Sequence, residues 1–453
     1  TSNGPTQLIA GDAVKSTQIT TIIPESVDRF PWSGHLGLRL LPETLAAIDS
    51  ARTTLLFTNT RSQTEIWFRA ILKARPEWVG QIALHHGSLD AGLRRKVEDL
   101  LREGALRCVV CTSSLDLGVD FSPVEQVIQV GSPKGVARLL QRAGRSGHQP
   151  GAVSRAVCVP TQALELLEFA AARSAALAAD IEPRPPLARP LDVLAQHLVT
   201  IACAGPFAEA ELRDEVRSTR AFRGLTDDDW RWCLDFVTRG GPALTAYPQY
   251  ARIRQNPEGV FEIASKKIQT MHRLMVGAIS SDAAITVRVV GGRSLGTIEE
   301  SFVARLAPGD RFVFAGHILE LVRVRDMTAH VRRTTRASGI VPRWGGSRTP
   351  LSSQLAHAVR DLIRDSAARC GEPEVAAARP LLELQAQWSR LPLPGALLIE
   401  RAKTRDGHHA FLFPLEGRQV HEGLGTLLAH RLTRSRPITI SVTVNDYGIE
   451  LLS

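Results

Sequence analysis

Residues 139–148 read LLQRAGRSGH: a glutamine, two arginines three positions apart and two glycines in a short polar run. Such a run makes a poor structural helix and a good guanidinium platform, because two arginine forks can reach one phosphate group. In phosphoryl transfer there is little covalent work for a protein to do. Rate comes instead from placing positive charge where negative charge spreads over the γ-phosphate oxygens. Arg142 and Arg145 are therefore the candidate catalytic residues, in the manner of an arginine finger. The same ten residues also suit an arginine-rich, solvent-facing helix end.

The chain leading to this run has the pattern of a parallel sheet covered on both faces. From Thr53 the order is strand TTLLFTNT, helix from Ser62, strand IALHHG, helix from Asp90, strands LRCVVCT and VEQVIQVG, helix from Gly135, strand RAVCVPT and a helix to about Ala179. Strands that are nearly continuously apolar and alternate with helices argue this α/β arrangement. Ser62 with Glu65 has the spacing of a capping box at the first helix start. Ligands of such folds lie beyond the carboxyl ends of the strands. The polar residues there are Asn59, Thr60 and Arg61, then His85, His86, Gly87 and Ser88, then Thr112, Ser113 and Ser114, then the loop of Lys134. Small hydroxyls, backbone amides and an arginine grip a sugar-phosphate backbone without reading bases. Asp116 and Asp120 add acids able to orient an arginine or a ribose hydroxyl. Adjacent His85 and His86 point apart and read as strand-end residues rather than metal ligands, and no metal site is expected.

TLLFTNTRSQTE, ALHHGSLD, VVCTSSLDLGVDF and QRAGRSGH stand in the order and spacing of motifs IV, IVa, V and VI of superfamily 2 helicases, whose second motor domain is RecA-like. FPWSGHLGLRLLP, TNTRSQ and SPKGVARLLQRAGRSGH more closely resemble the large helicase-related (Lhr) family in its ligase-associated DNA helicase branch. That resemblance implies an ATP-dependent enzyme that translocates 3′-to-5′ on single-stranded DNA and unwinds DNA or RNA–DNA duplexes in repair, beside a DNA ligase and a nuclease. It implies DNA contacts from Asn59, Thr60, Arg61, His86, Gly87, Thr112 and Ser113, and ATP contacts from Gln141, Asp116, Gly118 and Asp120. His148 stands where a further arginine is common, so Arg145 is the finger and Arg142 its helper. No G-x-x-x-x-G-K-[ST] and no D-E-x-H box occurs in the chain. ATP and Mg²⁺ are accordingly expected to be held mainly by a first motor domain outside it.

Beyond residue 180 the character changes. Residues 182–190, EPRPPLARP, hold four prolines in nine positions and read as a linker. LDVLAQHLVTIA, AELRDEVRST and a helix opened by Thr226 and closed by Gly240 precede a hairpin through Asn256–Gly259. Trp230, Cys233, Leu234 and Val237 share one face of the third helix. Three helices and a hairpin predict a winged helix, a module that docks on nucleic acid; a small helical packing domain is the plainer reading. From about residue 285 short strands predict a β-rich domain. Between Leu321 and Arg348 lie seven arginines and one acid, Asp326. Alternating arginines, among them Arg332 and Arg333, with Trp344 beside them make a stacking platform in a basic groove. A solvated basic strand with Trp344 buried fits the same residues. The P-x-W-x-G wording around Trp344 resembles the family segment whose tryptophan stacks on tracking-strand DNA.

The expected organisation is thus multidomain: 1–25 a linker from a first motor domain, 26–180 a second RecA-like α/β domain, 181–189 a Pro-rich linker, 190–284 an α+β winged helix, and 285–453 a β-rich DEAD/H-associated domain truncated at its end. At 453 residues with 44% hydrophobic residues the chain suits about three domains. A net charge of +9 favours a polyanionic partner. Six scattered cysteines suit no disulfide framework; Cys108 and Cys111 sit in one apolar strand at an odd separation, so they point to opposite faces. No run of 18 apolar residues occurs, the N-terminus TSNGPTQ has no signal-peptide character, and a cytoplasmic protein is expected. A DNA-binding module that keeps motor motifs without ATP turnover is the alternative function.

Overall fold

A computed structural model of the chain describes residues 16–25, 37–116, 124–147, 151–240, 250–274, 284–334, 340 and 349–453. Gly118, Asp120, His148 and Trp344 lie outside the described residues. The chain divides into two compact units, 1–182 with 283–453, and 183–282.

The first unit begins with β1 (Thr17–Thr21), α1 (Leu41–Asp49), β2 (Thr54–Phe57), α2 (Arg61–Ala74), β3 (Ile82–His85), α3 (Ala91–Arg102), β4 (Cys108–Cys111), β5 (Gln126–Val130), α4 (Val136–Ala143), β6 (Ser154–Val159) and α5 (Ala163–Leu177). The strands form one sheet in the order β1-β6-β5-β2-β4-β3, with every pair parallel. Val109 and Cys111 enter the apolar core on one face of the sheet, Cys108 and Val110 that on the other; the expected opposition of the two cysteines holds. The expected linker 1–25 is corrected in part. Thr17–Thr21 pairs with Ser154–Cys158 as an edge strand, a role hidden in sequence because only Ile19 of it is buried.

The second unit holds α6 (Leu191–Ala204), α7 (Glu209–Ser218), α8 (Asp227–Arg239), the antiparallel strands β7 (Ile253–Gln255) and β8 (Phe261–Ile263), and α9 (Lys266–Leu274). Thr226 and Asp229 close a reciprocal capping box on α8, and Gly240 ends it at φ 76°. Trp230, Cys233, Leu234 and Val237 are all buried there. Three helices and a two-stranded wing are the winged-helix arrangement.

The rest of the first unit is less uniformly β than expected. β9 (Ala284–Val289), β10 (Ser294–Glu299), the short α10 (Glu300–Val303), β11 (Arg311–Phe314), β12 (His317–Arg325) and β13 (Thr328–Arg333) make a five-stranded sheet in the order β10-β9-β13-β12-β11. Next come α11 (Ser353–Arg364), α12 (Pro373–Trp388), β14 (Leu398–Lys403), β15 (His408–Phe413), α13 (Arg418–Ser435), β16 (Ser441–Val444) and β17 (Ile449–Leu452), whose strands form a separate four-stranded sheet. Leu355, Val359, Ile363 and Val375 of α11 and α12 share one core with Leu166, Leu167 and Phe169 of α5. A boundary at 180 therefore does not separate two cores: burying that much apolar surface jointly favours one cooperative body.

Candidate nucleotide and nucleic-acid site

The arginine run occupies the end of α4 and the turn after it. Glu182 fixes the start of that helix, its carboxylate accepting from the amides of Val136 and Ala137 at 2.7 Å each, where a helix leaves donors open and favours an anion. Burial alone would raise Glu182, but Ser352 and these amides outweigh it and hold its carboxyl below the ordinary range. Val136, Leu139 and Ala143 bury one face. Gly147, at φ 66°, lets the chain turn where a Cβ would sit 2.8 Å from the Val153 carbonyl oxygen.

This anchoring separates the two arginines. Arg142, 2% exposed, donates through Nε to Asp116 Oδ1 at 2.9 Å and through Nη1 to Gln129 Oε1 at 2.6 Å. Its guanidinium lies 4.8 Å from the Phe57 ring centroid. The expectation that both forks reach one phosphate is corrected: Arg142's fork is engaged within the fold. Asp116, read as an ATP contact, is the partner that orients it. Arg145, past the end of α4, stays partly exposed, as does Gln141 on the last turn. Gln129 went unnoticed in the sequence because it lies inside an apolar strand, where a buried amide reads as an interruption rather than a ligand.

The strand-end loops lie together at the carboxyl edge, as parallel order requires. Thr60 caps α2, its hydroxyl accepting from the Gln63 amide at 3.1 Å; the expected Ser62–Glu65 box does not form. Asn59 donates from Nδ2 to the Ser132 carbonyl at 2.8 Å, and Arg61 donates to Ser88 Oγ at 2.7 Å. Asn59, Thr60, Gly87 and Ser113 are exposed, Arg61 is half-buried and Thr112 is buried. His86 is a second correction. It is fully buried, with Nε2 3.4 Å from Glu65 and its ring edge-on to Phe314, so it cannot lie on a DNA-facing surface and acts as internal support.

Glu65 is a buried structural tie that the sequence misassigned. Its carboxylate accepts from the amides of Ala315 at 2.6 Å and Gly316 at 2.9 Å, in the β11–β12 turn. Strand β10 docks on the loop between β3 and α3: Thr297 donates to the Ser88 carbonyl at 2.8 Å and the Asp90 amide to Leu295 at 3.0 Å. Gly296 permits this approach, since a Cβ there would come within 2.0 Å of the Ser88 oxygen. The four-stranded sheet is tied in through Lys134, whose Nζ meets Asp446 Oδ2 at 2.8 Å. Tyr447 donates to Glu168 at 2.5 Å, and Ser132 also donates to Glu168. Burial pulls Lys134 down, yet the Glu168 and Asp446 carboxylates outweigh it and hold the ammonium above its ordinary range. Lys134 is thus a tie between segments rather than a free phosphate contact.

The five-stranded sheet buries Ile285, Val287, Leu319, Leu321, Ala329 and Val331 on one face. Alternation turns Arg288, His330 and Arg323 to the other, in one cross-strand row. Arg332 and Arg333 are exposed; Arg332 pairs with Glu320 at 2.5 Å. A basic face of this kind suits a phosphate backbone.

Three stretches match known families: residues 38–149 the helicase conserved C-terminal domain, 174–341 the winged helix domain of large helicase-related protein, and 391–453 the DEAD/H associated family. The winged-helix match thus reaches across the expected boundary at 284 into the five-stranded sheet. ATP-dependent helicase Lhr-Core protein 2 of Thermococcus barophilus is 31% identical over 89% of this chain and 49% of its own length. ATP-dependent helicase Lhr-Core of Methanocaldococcus jannaschii is 28% identical over 97% of this chain and 52% of its own. The chain spans about half the length of these relatives. In fold it is similar to Mycobacterium smegmatis helicase Lhr bound to ssDNA and AMP-PNP, with TM-score 0.75, 24% identity and coverage of 99% of this chain and 56% of that one.

Proposed function

Because this chain belongs to the large helicase-related family, we propose that it is the second motor domain and DNA-binding part of an ATP-dependent helicase that moves 3′-to-5′ on single-stranded DNA. The observation that carries the reading is the RecA-like parallel sheet whose carboxyl-edge loops present the exposed Asn59, Thr60, Gly87 and Ser113, together with the partly exposed Arg145 in the turn after α4. Arg145 can stabilise phosphoryl-transfer charge, and the strand-end loops can hold a sugar-phosphate backbone. Gln141, Gly118 and Asp120 are assigned to ATP contacts. Among the described residues no group of three His, Cys, Asp or Glu side chains could hold a metal ion, and Asp116 is engaged by Arg142. We assign Mg²⁺, with most of the ATP contacts, to a first RecA-like domain. A DNA or RNA–DNA duplex as substrate, a cytoplasmic location, and a repair role beside a ligase and a nuclease complete the proposal.

The chain alone is expected to bind single-stranded DNA and to release no phosphate above background. Fusing it to a first RecA-like domain should restore DNA-stimulated turnover; binding without turnover in that fusion would favour the DNA-binding module instead.

Binding should divide into stacking and charge. Trp344→Ala is expected to weaken single-strand affinity by about 1–3 kcal/mol whatever the base sequence. Arg333→Ala should instead flatten the salt dependence by about 0.7 in the log–log slope. Arg332→Ala should do less, since Glu320 already shares that charge. Titrations at several salt concentrations separate the two. Unchanged affinity with an intact circular dichroism spectrum in Trp344→Ala would remove that residue from the site.

A further inference from the structure

β12 and β13 join through Asp326 and Met327, at φ 49° and 53°. A two-residue turn with both residues left-handed favours Asn-Gly or Asp-Gly, because a Cβ crowds that conformation. The neighbouring β11–β12 turn follows the preference, placing Gly316 second at φ 76° after Ala315 at 52°. The β12–β13 turn instead holds a methionine there and leaves its side chain 52% exposed. Strain kept at an exposed position motivates a functional reading.

The surroundings say what the side chain would meet. Val324 is 47% exposed and Val322, at a bulge in β12, 37%. Val324 shares the face of Ala329, while the exposed Arg323 and Arg325 turn to the opposite face, and Arg325 lies 3.3 Å from Asp326. Arg323, Arg325, Arg332 and Arg333 face two acids on this hairpin, Glu320 and Asp326. A tip with apolar side chains on one face and excess positive charge on the other matches a ligand that offers bare hydrophobic faces next to phosphates and straddles the turn. A single strand on the basic face alone would need only the arginines. The last base pair of a duplex, where a single strand leaves it, offers both.

We propose that the β12–β13 tip is a junction contact, with Met327 and Val324 abutting the terminal base pair of a tailed duplex while Arg323 and Arg325 hold its flanking phosphates. The inference rests on the reading above that this sheet carries DNA. The full chain is titrated with two DNAs: a 3′-tailed duplex with 2-aminopurine in its terminal pair, and the tail oligonucleotide alone. The unaltered chain should bind the tailed duplex about five- to tenfold more tightly than the tail, and 2-aminopurine fluorescence should rise as the pair is unstacked.

Met327→Gly is the informative variant, because glycine relieves the left-handed turn while removing the contact. It should melt no lower than the unaltered chain, keep its affinity for the tail within about twofold and lose the preference for the junction. Met327→Leu should retain that preference. If Met327→Gly unfolds, Val324→Ser makes the same comparison. No junction preference in the unaltered chain, or a preference that survives Met327→Gly and Val324→Ser, overturns the proposal. Failure to bind even the tail would instead sink the DNA-binding reading on which it stands.

Discussion

Arg145→Ala should lower DNA-stimulated ATP turnover by roughly 10³-fold or more in a chain fused to a first RecA-like domain, the range removed with an arginine finger. DNA affinity without nucleotide should hardly move, because the guanidinium acts on charge that develops only during phosphoryl transfer. Arg145→Lys should recover little, an ammonium being unable to reproduce the planar fork. Arg142→Ala, by contrast, should act through the fold. With Asp116 and Gln129 as its partners in the interior, its removal leaves a buried carboxylate uncompensated, at a cost of about 3–5 kcal/mol. Phosphate release, nucleotide-free anisotropy and thermal melting, measured on both variants, assign each arginine to one role. Unaltered turnover in Arg145→Ala would show that the finger lies elsewhere.

That division of labour was only half legible in the sequence. Motif spacing and apolar runs located the sheet, the strand-end loops and the arginine helix, because parallel strands buried on both faces leave an almost continuous apolar signature. Trp230, Cys233, Leu234 and Val237 were equally readable, being a helical stripe. What escaped were partners remote in sequence. Glu182 reads as part of a proline-rich linker, yet its carboxylate caps α4. Asp446 lies 312 positions from the lysine it meets. β1 has one buried residue, Ile19, so no periodicity announces it. Local pattern encodes which face a residue turns inward; it does not encode which distant backbone a carboxylate will satisfy.

Glu65 is the sharpest instance and gives the last prediction. Its spacing from Ser62 fits a capping box, but Thr60 caps the helix and Glu65 is fully buried, accepting from two amides of the β11–β12 turn. Glu65→Ala would leave those donors without an acceptor and open a cavity beside His86. The combined loss should be about 3–5 kcal/mol, within the range for breaking a buried charged network. Glu65→Gln should recover only part, because one arm of an amide turns a donor toward a donor. Hydrogen exchange would place the damage: the amides of Ala315, Gly316 and Thr297 should lose protection, while those of α8 in the other unit should not. The same variant should weaken single-strand binding with no DNA contact removed, because Glu65 links the exposed Gly87 loop to the sheet bearing Arg323 and Arg333. Unchanged melting and unchanged exchange at Gly316 would mean that β10, through the Ser88 carbonyl, holds the sheet in place without this carboxylate.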